Sequence, residues 1–287
     1  MSSILYEDHS GLDVIDLDRY PIDRPDGPIL DAIIAAARND LQRDGCARLS
    51  RFIHPSRHAM MEAETDTLAR QALYSTERYT PYGQPPDEDF PADHPRQRTH
   101  RTTSGNVTAD LIPENFEIKK LYRNVAFQRF IAACLDADII YEFADPMRSL
   151  TINAMPEDTS LGWHFDANEF IVSLMTRQPD AGGTFDYCPG IRNPGEENYD
   201  AVQTVLDGDR TQVRSLDLEV GDLQIFKGRY SMHQVTPVRG VRHTVLFGYA
   251  REPGFIGSAA STLRVYGRVM QAHLDADAEK NQDGLAD

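Results

Sequence analysis

Gly162-Trp163-His164-Phe165-Asp166 and, far downstream, Ser231-Met232-His233-Gln234-Val235-Thr236-Pro237-Val238-Arg239-Gly240-Val241-Arg242-His243-Thr244 are the two stretches on which the reading of this chain turns. Successive strand side chains alternate faces, so His164 and Asp166 point the same way with Cα atoms roughly 7 Å apart. The second stretch reads as a β-hairpin with Arg239-Gly240 as its two-residue turn. In that register Pro237 faces Arg242, Val235 faces Thr244 and His233 faces Leu246, which turns His233, Arg242 and Thr244 to one side. Two imidazoles and a carboxylate form a facial set of metal ligands that leaves the other corners of an octahedral ferrous ion open. An arginine roughly 13 Å from His233 along the strands needs an anion if it points inward, and its planar fork suits a carboxylate.

Outward from these stretches, residues 140 to 255 are built of short strands: 149–155, 170–177, 184–187, 215–219, 223–227, 231–238 and 241–251. Turns such as Asp180-Ala181-Gly182-Gly183 and Val220-Gly221-Asp222 separate them, and a helix over 196–206 interrupts them. This pattern predicts a jelly roll or barrel, mainly β with flanking helices. The first 140 residues are read as a helical part packed on that core, all within one domain spanning 1–287. An extended surface arm is expected over 1–27. A helix follows from Pro28, with Ile29, Ile33, Ile34, Ala37 and Leu41 on its buried face and Gly45 at its end. A short strand over 46–49, a helix from Pro55, and one or two helices between Pro113 and Asp136 complete this part. Residues 75–112 show no sustained period and are taken as a substrate loop or lid. A C-terminal segment spans 256–287, and the acidic run from Ala276 to Asp287 is expected to be disordered.

Lys plus Arg number 29 against 45 Asp plus Glu, a net charge of −16, which disfavours a nucleic-acid backbone or an anionic membrane as partner. The three cysteines, Cys46, Cys134 and Cys188, form no CxxC pair and no disulfide framework. With no signal-like start and no membrane-length apolar run, a cytoplasmic protein acting on a small molecule is expected; a homodimer is left open.

The spacing His164-x-Asp166, distant His233, Arg242 nine residues on and Thr244 resembles the signature of the Fe(II)/2-oxoglutarate-dependent dioxygenases on the double-stranded β-helix fold, in their prolyl-hydroxylase-like branch. Gly182-Gly183-Thr184-Phe185 and Val220-Gly221-Asp222-Leu223 resemble the same branch. The likeness is specific from about residue 148 to 250. The whole chain is most similar to the small bacterial enzymes that hydroxylate or chlorinate free amino acids. Halogenases of that group keep a small residue where Asp166 stands, so the resemblance implies hydroxylation here.

The resemblance further implies Fe(II) held by His164, Asp166 and His233, with 2-oxoglutarate and O2 as cosubstrates and succinate and CO2 released as a substrate C–H bond is oxidised. Arg242 and Thr244 would hold the far carboxylate of 2-oxoglutarate, and Asn153 would face it. For the substrate, the run Arg96-Gln97-Arg98-Thr99-His100-Arg101-Thr102 stands out in an acidic chain, and Arg101 or Arg98 is expected to bind an amino-acid carboxylate. Glu169 is expected to meet a cationic group, and Trp163 to pack in the core or at the substrate. The alternatives are desaturation, cyclisation or halogenation at the same site, or a cupin-like binding or sensor protein without catalysis.

Overall fold

The computed structural model describes residues 10–24 and 26–280. In chain order the first elements are α1 (Pro28–Asp44), β1 (Cys46–Leu49), α2 (His58–Ala69), β2 (Leu73–Tyr79), β3 (His100–Val107), α3 (Glu117–Arg123) and α4 (Val125–Cys134). The strand-rich part follows as β4 (Tyr141–Glu142), β5 (Leu150–Met155), β6 (Leu161–His164), β7 (Ile171–Arg177), β8 (Ala181–Gly182) and β9 (Phe185–Cys188). It continues through α5 (Tyr199–Leu206), β10 (Arg214–Leu216), β11 (Leu223–Phe226), β12 (Met232–Val235), β13 (Val238–Arg239), β14 (Arg242–Phe247) and β15 (Tyr249–Ala250). Two helices end the chain, α6 (Ala259–Tyr266) and α7 (Gln271–Lys280).

The large sheet has seven antiparallel strands in the order β1-β11-β7-β14-β5-β3-β2, and a smaller one runs β10-β9-β12-β6. The sheets do not close into a barrel. Alternation sorts each central strand of the large sheet: Leu150, Ile152, Val172, Leu174, Val245 and Phe247 face the helices in one core. That core reaches across to Phe52, Phe127 and Phe130, whose rings pack at centroid distances of 5.8 and 6.0 Å around Phe52. Each such side chain contributes about 1.5–3 kcal/mol on burial. The opposite face of the sheet carries Asn153, Met155, Arg242 and Thr244 toward the smaller sheet.

Over its described part, residues 10–24, the N-terminal segment is not a surface arm; residues 1–9 and 25 lie outside the described residues. Leu12, Val14, Ile15, Tyr20 and Ile22 are buried in the main core, and His54 N donates to Val14 O at 2.8 Å. Polar residues between these apolar ones had masked their packing. In α1 the buried stripe is rotated from the expected one: Leu30 is buried while Ile29 is 61% exposed. Gly45 ends that helix in the left-handed region (φ 64°), as its position required.

The stretch 75–112 is mostly strand, not loop. β2 and β3 pair from Leu73↔Asn106 to Tyr79↔His100 and add two strands to the large sheet through β5. Their hydrophobic alternation is missing because one face lines a polar cavity and the other is largely exposed. Only residues 80–99 remain as a connection. In the C-terminal segment, residues 276–280 belong to α7 rather than to a disordered tail, and 281–287 lie outside the described residues.

The expected hairpin about Arg239-Gly240 does not form. β12 belongs to the small sheet and β14 to the large one, and the chain crosses between them through β13, which pairs with β8. Gly240 turns there with φ 82°. No helix among the described residues is long and apolar enough to cross a membrane.

On the helix side of β14, burial pushes His243 down to about 4, outweighing the opposing pull of Asp66, whose Oδ1 lies 3.1 Å from its Nδ1 without hydrogen-bond geometry. The folded chain therefore takes up this proton later than the unfolded chain, whose histidine titrates near 6.5. Stability present above about pH 6.5 is lost as the pH falls toward 4. The midpoint of urea unfolding is expected to drop between pH 7 and pH 5, and to drop less in His243→Gln; equal drops would remove His243 as a cause.

Candidate active site

The small sheet brings the two distant histidines together by register. β12 pairs with β6 so that His233 stands directly opposite His164, and their rings lie 4.1 Å apart between centroids. Asp166 follows β6 and is pinned from two sides: Phe165 N donates to Pro81 O at 2.8 Å and Asp166 N to Gly228 O at 3.1 Å. One ligand atom from each of His164, Asp166 and His233 lies within 4.8 Å of the other two. Asp166 Oδ1 is 3.6 Å from His233 Nε2, and Asp166 Oδ2 has no hydrogen-bond partner.

Both imidazoles are oriented for metal binding. His164 Nδ1 sits 2.7 Å from Gly162 O and His233 Nδ1 sits 3.0 Å from Ser231 O, which holds the proton on Nδ1 and frees Nε2 as a ligand. Burial, with His164 alongside, pushes His233 down to about 4, so it is neutral at physiological pH. Phe185 and Phe226 pack on its ring at 5.4 and 4.8 Å and keep this side dry.

Gly228 makes room for the carboxylate. A Cβ there would stand 1.8 Å from Asp166 Oδ2, closer than any contact allows. The turn before β12 is thus shaped around an acid at position 166.

Arg242 enters the same interior from the large sheet. Opposite Met155 in register and 4% exposed, it makes one contact, from NH1 to Met155 Sδ at 3.9 Å, and its Nε has no partner. Burial alone pushes the guanidinium down to about 10, and it forms no ion pair among the described residues. Thr244, two residues on and also buried, leaves Oγ1 unpartnered. Asn153 stands opposite Thr244; its Nδ2 donates to Asn106 Oδ1 at 3.3 Å and its Oδ1 is unpartnered. A buried cation without an anion costs several kcal/mol, so this cradle fits a carboxylate supplied from outside. Gly183 accommodates it, because a Cβ there would press on Arg242 Cδ at 3.1 Å.

A cavity of about 1220 Å³ opens onto His164, Phe165 and Asp166. None of the four substrate residues expected from sequence lines it. Arg101 is exposed and opposite Arg78, on the face of β3 turned from the cavity. Arg98 instead clamps the 80–99 connection to α5, bonding Asp207 Oδ1 at 2.7 Å and Leu206 O at 3.1 Å. Glu169 is taken by Arg251 in a two-pronged pair at 2.9 and 3.1 Å. Trp163 points opposite to its neighbour His164, into a cluster with Val202, Val205 and Met232.

The cavity is lined instead by Glu77, Tyr82, Arg96, Arg192 and Arg264, among others. Arg96 lies within the arginine-rich run but two residues earlier than Arg98; its guanidinium sits over the Tyr82 and Phe90 rings at 5.5 and 5.6 Å. Arg192 covers Phe165 at 3.8 Å and pairs with Glu197 at 2.9 Å. The strand alternation of β2 and β3 was the available signal for Glu77; nothing local marks Arg192.

A family model described as HalD, Halogenase D, matches residues 30–256. No curated protein matches the chain. Among solved structures, a Trichoplax adhaerens prolyl hydroxylase, solved with a hypoxia inducible factor peptide fragment, superposes with a TM-score of 0.53 at 14% identity, over 77% of this chain and 90% of that one. AviO1 from Streptomyces viridochromogenes Tue57 gives 0.50 at 19% identity, over 75% and 94%. A Burkholderia pseudomallei oxidoreductase of the 2OG-Fe(II) oxygenase family gives 0.49 at 18%, over 77% and 92%. With the model spanning most of its length, the chain belongs to the Halogenase D family, and it shares its fold with the prolyl hydroxylase and AviO1 structures.

Proposed function

We propose that the protein is an Fe(II)- and 2-oxoglutarate-dependent hydroxylase of a free amino acid or a similar small polar metabolite. The observation that carries this reading is the pairing of a three-ligand cluster with a buried guanidinium that has no anionic partner among the described residues and a buried hydroxyl without a hydrogen-bond partner. His164, Asp166 and His233 would hold the metal, with Nε2 of each imidazole presented by its backbone-bonded Nδ1. Arg242 and Thr244 would grip the distal carboxylate of 2-oxoglutarate, and Asn153 would border it. Iron with its cosubstrate supplies the oxidising power for an unactivated C–H bond. The chain's own part is positioning and exclusion: Phe185 and Phe226 keep water from His233, and the cavity presents the substrate to the open side of the ligand cluster.

The family's description favours a second reading, halogenation. Against it stands Asp166, which fills the position that a halide would need, and Gly228, whose missing side chain leaves space for that carboxylate. The tool of choice is product analysis: with iron, ascorbate, 2-oxoglutarate and an amino-acid panel in chloride buffer, succinate release is expected with a substrate mass gain of one oxygen. Incorporated chlorine would overturn hydroxylation.

Two variants test the site itself. Gly228→Ala is expected to displace Asp166 and weaken metal binding on the order of tenfold to a hundredfold while the fold persists, read by Mn(II) titration and circular dichroism. Unchanged affinity would show that Asp166 is not a ligand. In the wild type, 2-oxoglutarate with Mn(II) is expected to raise the thermal midpoint, because it binds only the folded state. In Arg242→Met that increase should vanish; if it survives, the anion is held elsewhere.

A further inference from the structure

One wall of the cavity is built by a segment outside the family match, which ends at residue 256. Gly257, Ser258, Ser261, Arg264 and Val265, from α6 and the residues before it, line the space facing the ligand cluster. This wall is fastened from below. Asp145, fully buried, accepts from Met147 N and Arg148 N at 2.8 Å and from Gly257 N at 3.0 Å, and lies 3.2 Å from Nε2 of the fully buried His273 on α7. Arg148 extends the tie, donating to Ser261 Oγ at 3.0 Å and Thr262 Oγ1 at 3.2 Å. Ala259 N donates to Asp277 Oδ2 at 2.8 Å, which joins α6 to α7.

The face of β2 and β3 that carries Glu77 lines the same cavity as α6. Glu77 stands opposite Thr102, whose Oγ1 accepts from Gly162 N at 3.0 Å, two residues before His164. Glu77 is therefore held one strand away from the ligand strand. It makes no hydrogen bond or ion pair among the described residues, and neither does Arg264. The two are nevertheless neighbours of one group, since the Tyr79 phenol feels the charges of both Arg264 and Glu77, and that of Asp166 as well. Opposite charges that flank one space beside the metal cluster without meeting each other are suited to a ligand that carries both signs.

We propose that Glu77 and Arg264 are specificity-determining residues that hold the head of an α-amino acid, its ammonium at Glu77 and its carboxylate at Arg264, with the side chain directed to the ligand cluster. An α-amino acid bears its two charges on one carbon, the combination that a cavity lined by one unpaired group of each sign would take. The proposal rests on the oxygenase reading above and replaces the loop arginines Arg98 and Arg101 as carboxylate ligands.

The test uses the whole protein, as wild type, Glu77→Gln, Arg264→Gln and Arg264→Lys, loaded without oxygen with Fe(II) and 2-oxoglutarate. The visible charge-transfer band is recorded first, then titrated with free α-amino acids and, for those that perturb it, with their carboxamides and N-acetyl derivatives. Absence of the band in the wild type overturns the oxygenase reading and this inference with it. With the band present, at least one free amino acid is expected to perturb it. Arg264→Gln should weaken that acid on the order of tenfold to a hundredfold and leave its carboxamide unchanged, the loss expected for one charge-assisted contact. Glu77→Gln should weaken the free amine and leave the N-acetyl derivative unchanged, and Arg264→Lys should recover part of the affinity. An intact band with no amino acid bound, or losses equal for the acid and its amide, overturns the inference and leaves the oxygenase reading standing.

Discussion

The site depends on one strand register. β12 lies between β6 and β9, and only in the observed pairing does His233 oppose His164 with both rings on the inner face. A slip of one residue would turn His233 outward and present Gln234 in its place. Backbone carbonyls two residues before each histidine then fix the ring orientation, and the carbonyls of Pro81 and Gly228 fix the strand end that carries Asp166. The metal-ligand geometry is thus set by main-chain hydrogen bonds, which are less mobile than any side-chain network around it.

The second constraint is electrostatic. Arg242 is buried without an ion pair among the described residues, and the hydroxyl of its neighbour Thr244 has no hydrogen-bond partner. Such an arrangement is unfavourable in isolation and persists because the two sheets, joined by well-packed aromatic residues at their interface, overdetermine it. Phe185, Tyr187, Phe226 and Met155 form the cluster that connects His233 on one sheet to Arg242 on the other. Rigidity there lets the ligand cluster and the anion cradle keep a fixed relation.

Much of this was legible in the sequence. His233 was singled out by its place in the second stretch, and the strand-rich half, α1 with its terminal glycine, and the grouping of His164 with Asp166 on one face follow from spacing. The hairpin did not, because Arg239-Gly240 has the chemistry of a tight turn whether its flanking strands pair with each other or part into different sheets. The inward direction of Arg242 was correct for a reason other than the one inferred: facing sheets present their residues to a common interior. Substrate residues were the least legible. A run of arginines announces positive charge, but which member faces a cavity depends on alternation in β3 and on contacts with α5, and these are tertiary facts. β2 and β3 themselves escaped notice since a strand that is polar on its cavity side and exposed on the other lacks the usual hydrophobic rhythm.

The missing side chain at Gly228 links two positions far apart in the chain. A methyl group at 228 and the carboxylate at 166 in its present position compete for one space, so substitutions at the two positions are coupled. Any lineage that exchanged the acid for a halide-admitting residue would have had to do so before position 228 was free to grow. Once an alanine had settled there, simple reversion at 166 would no longer restore the original centre, and the loss would act as a ratchet.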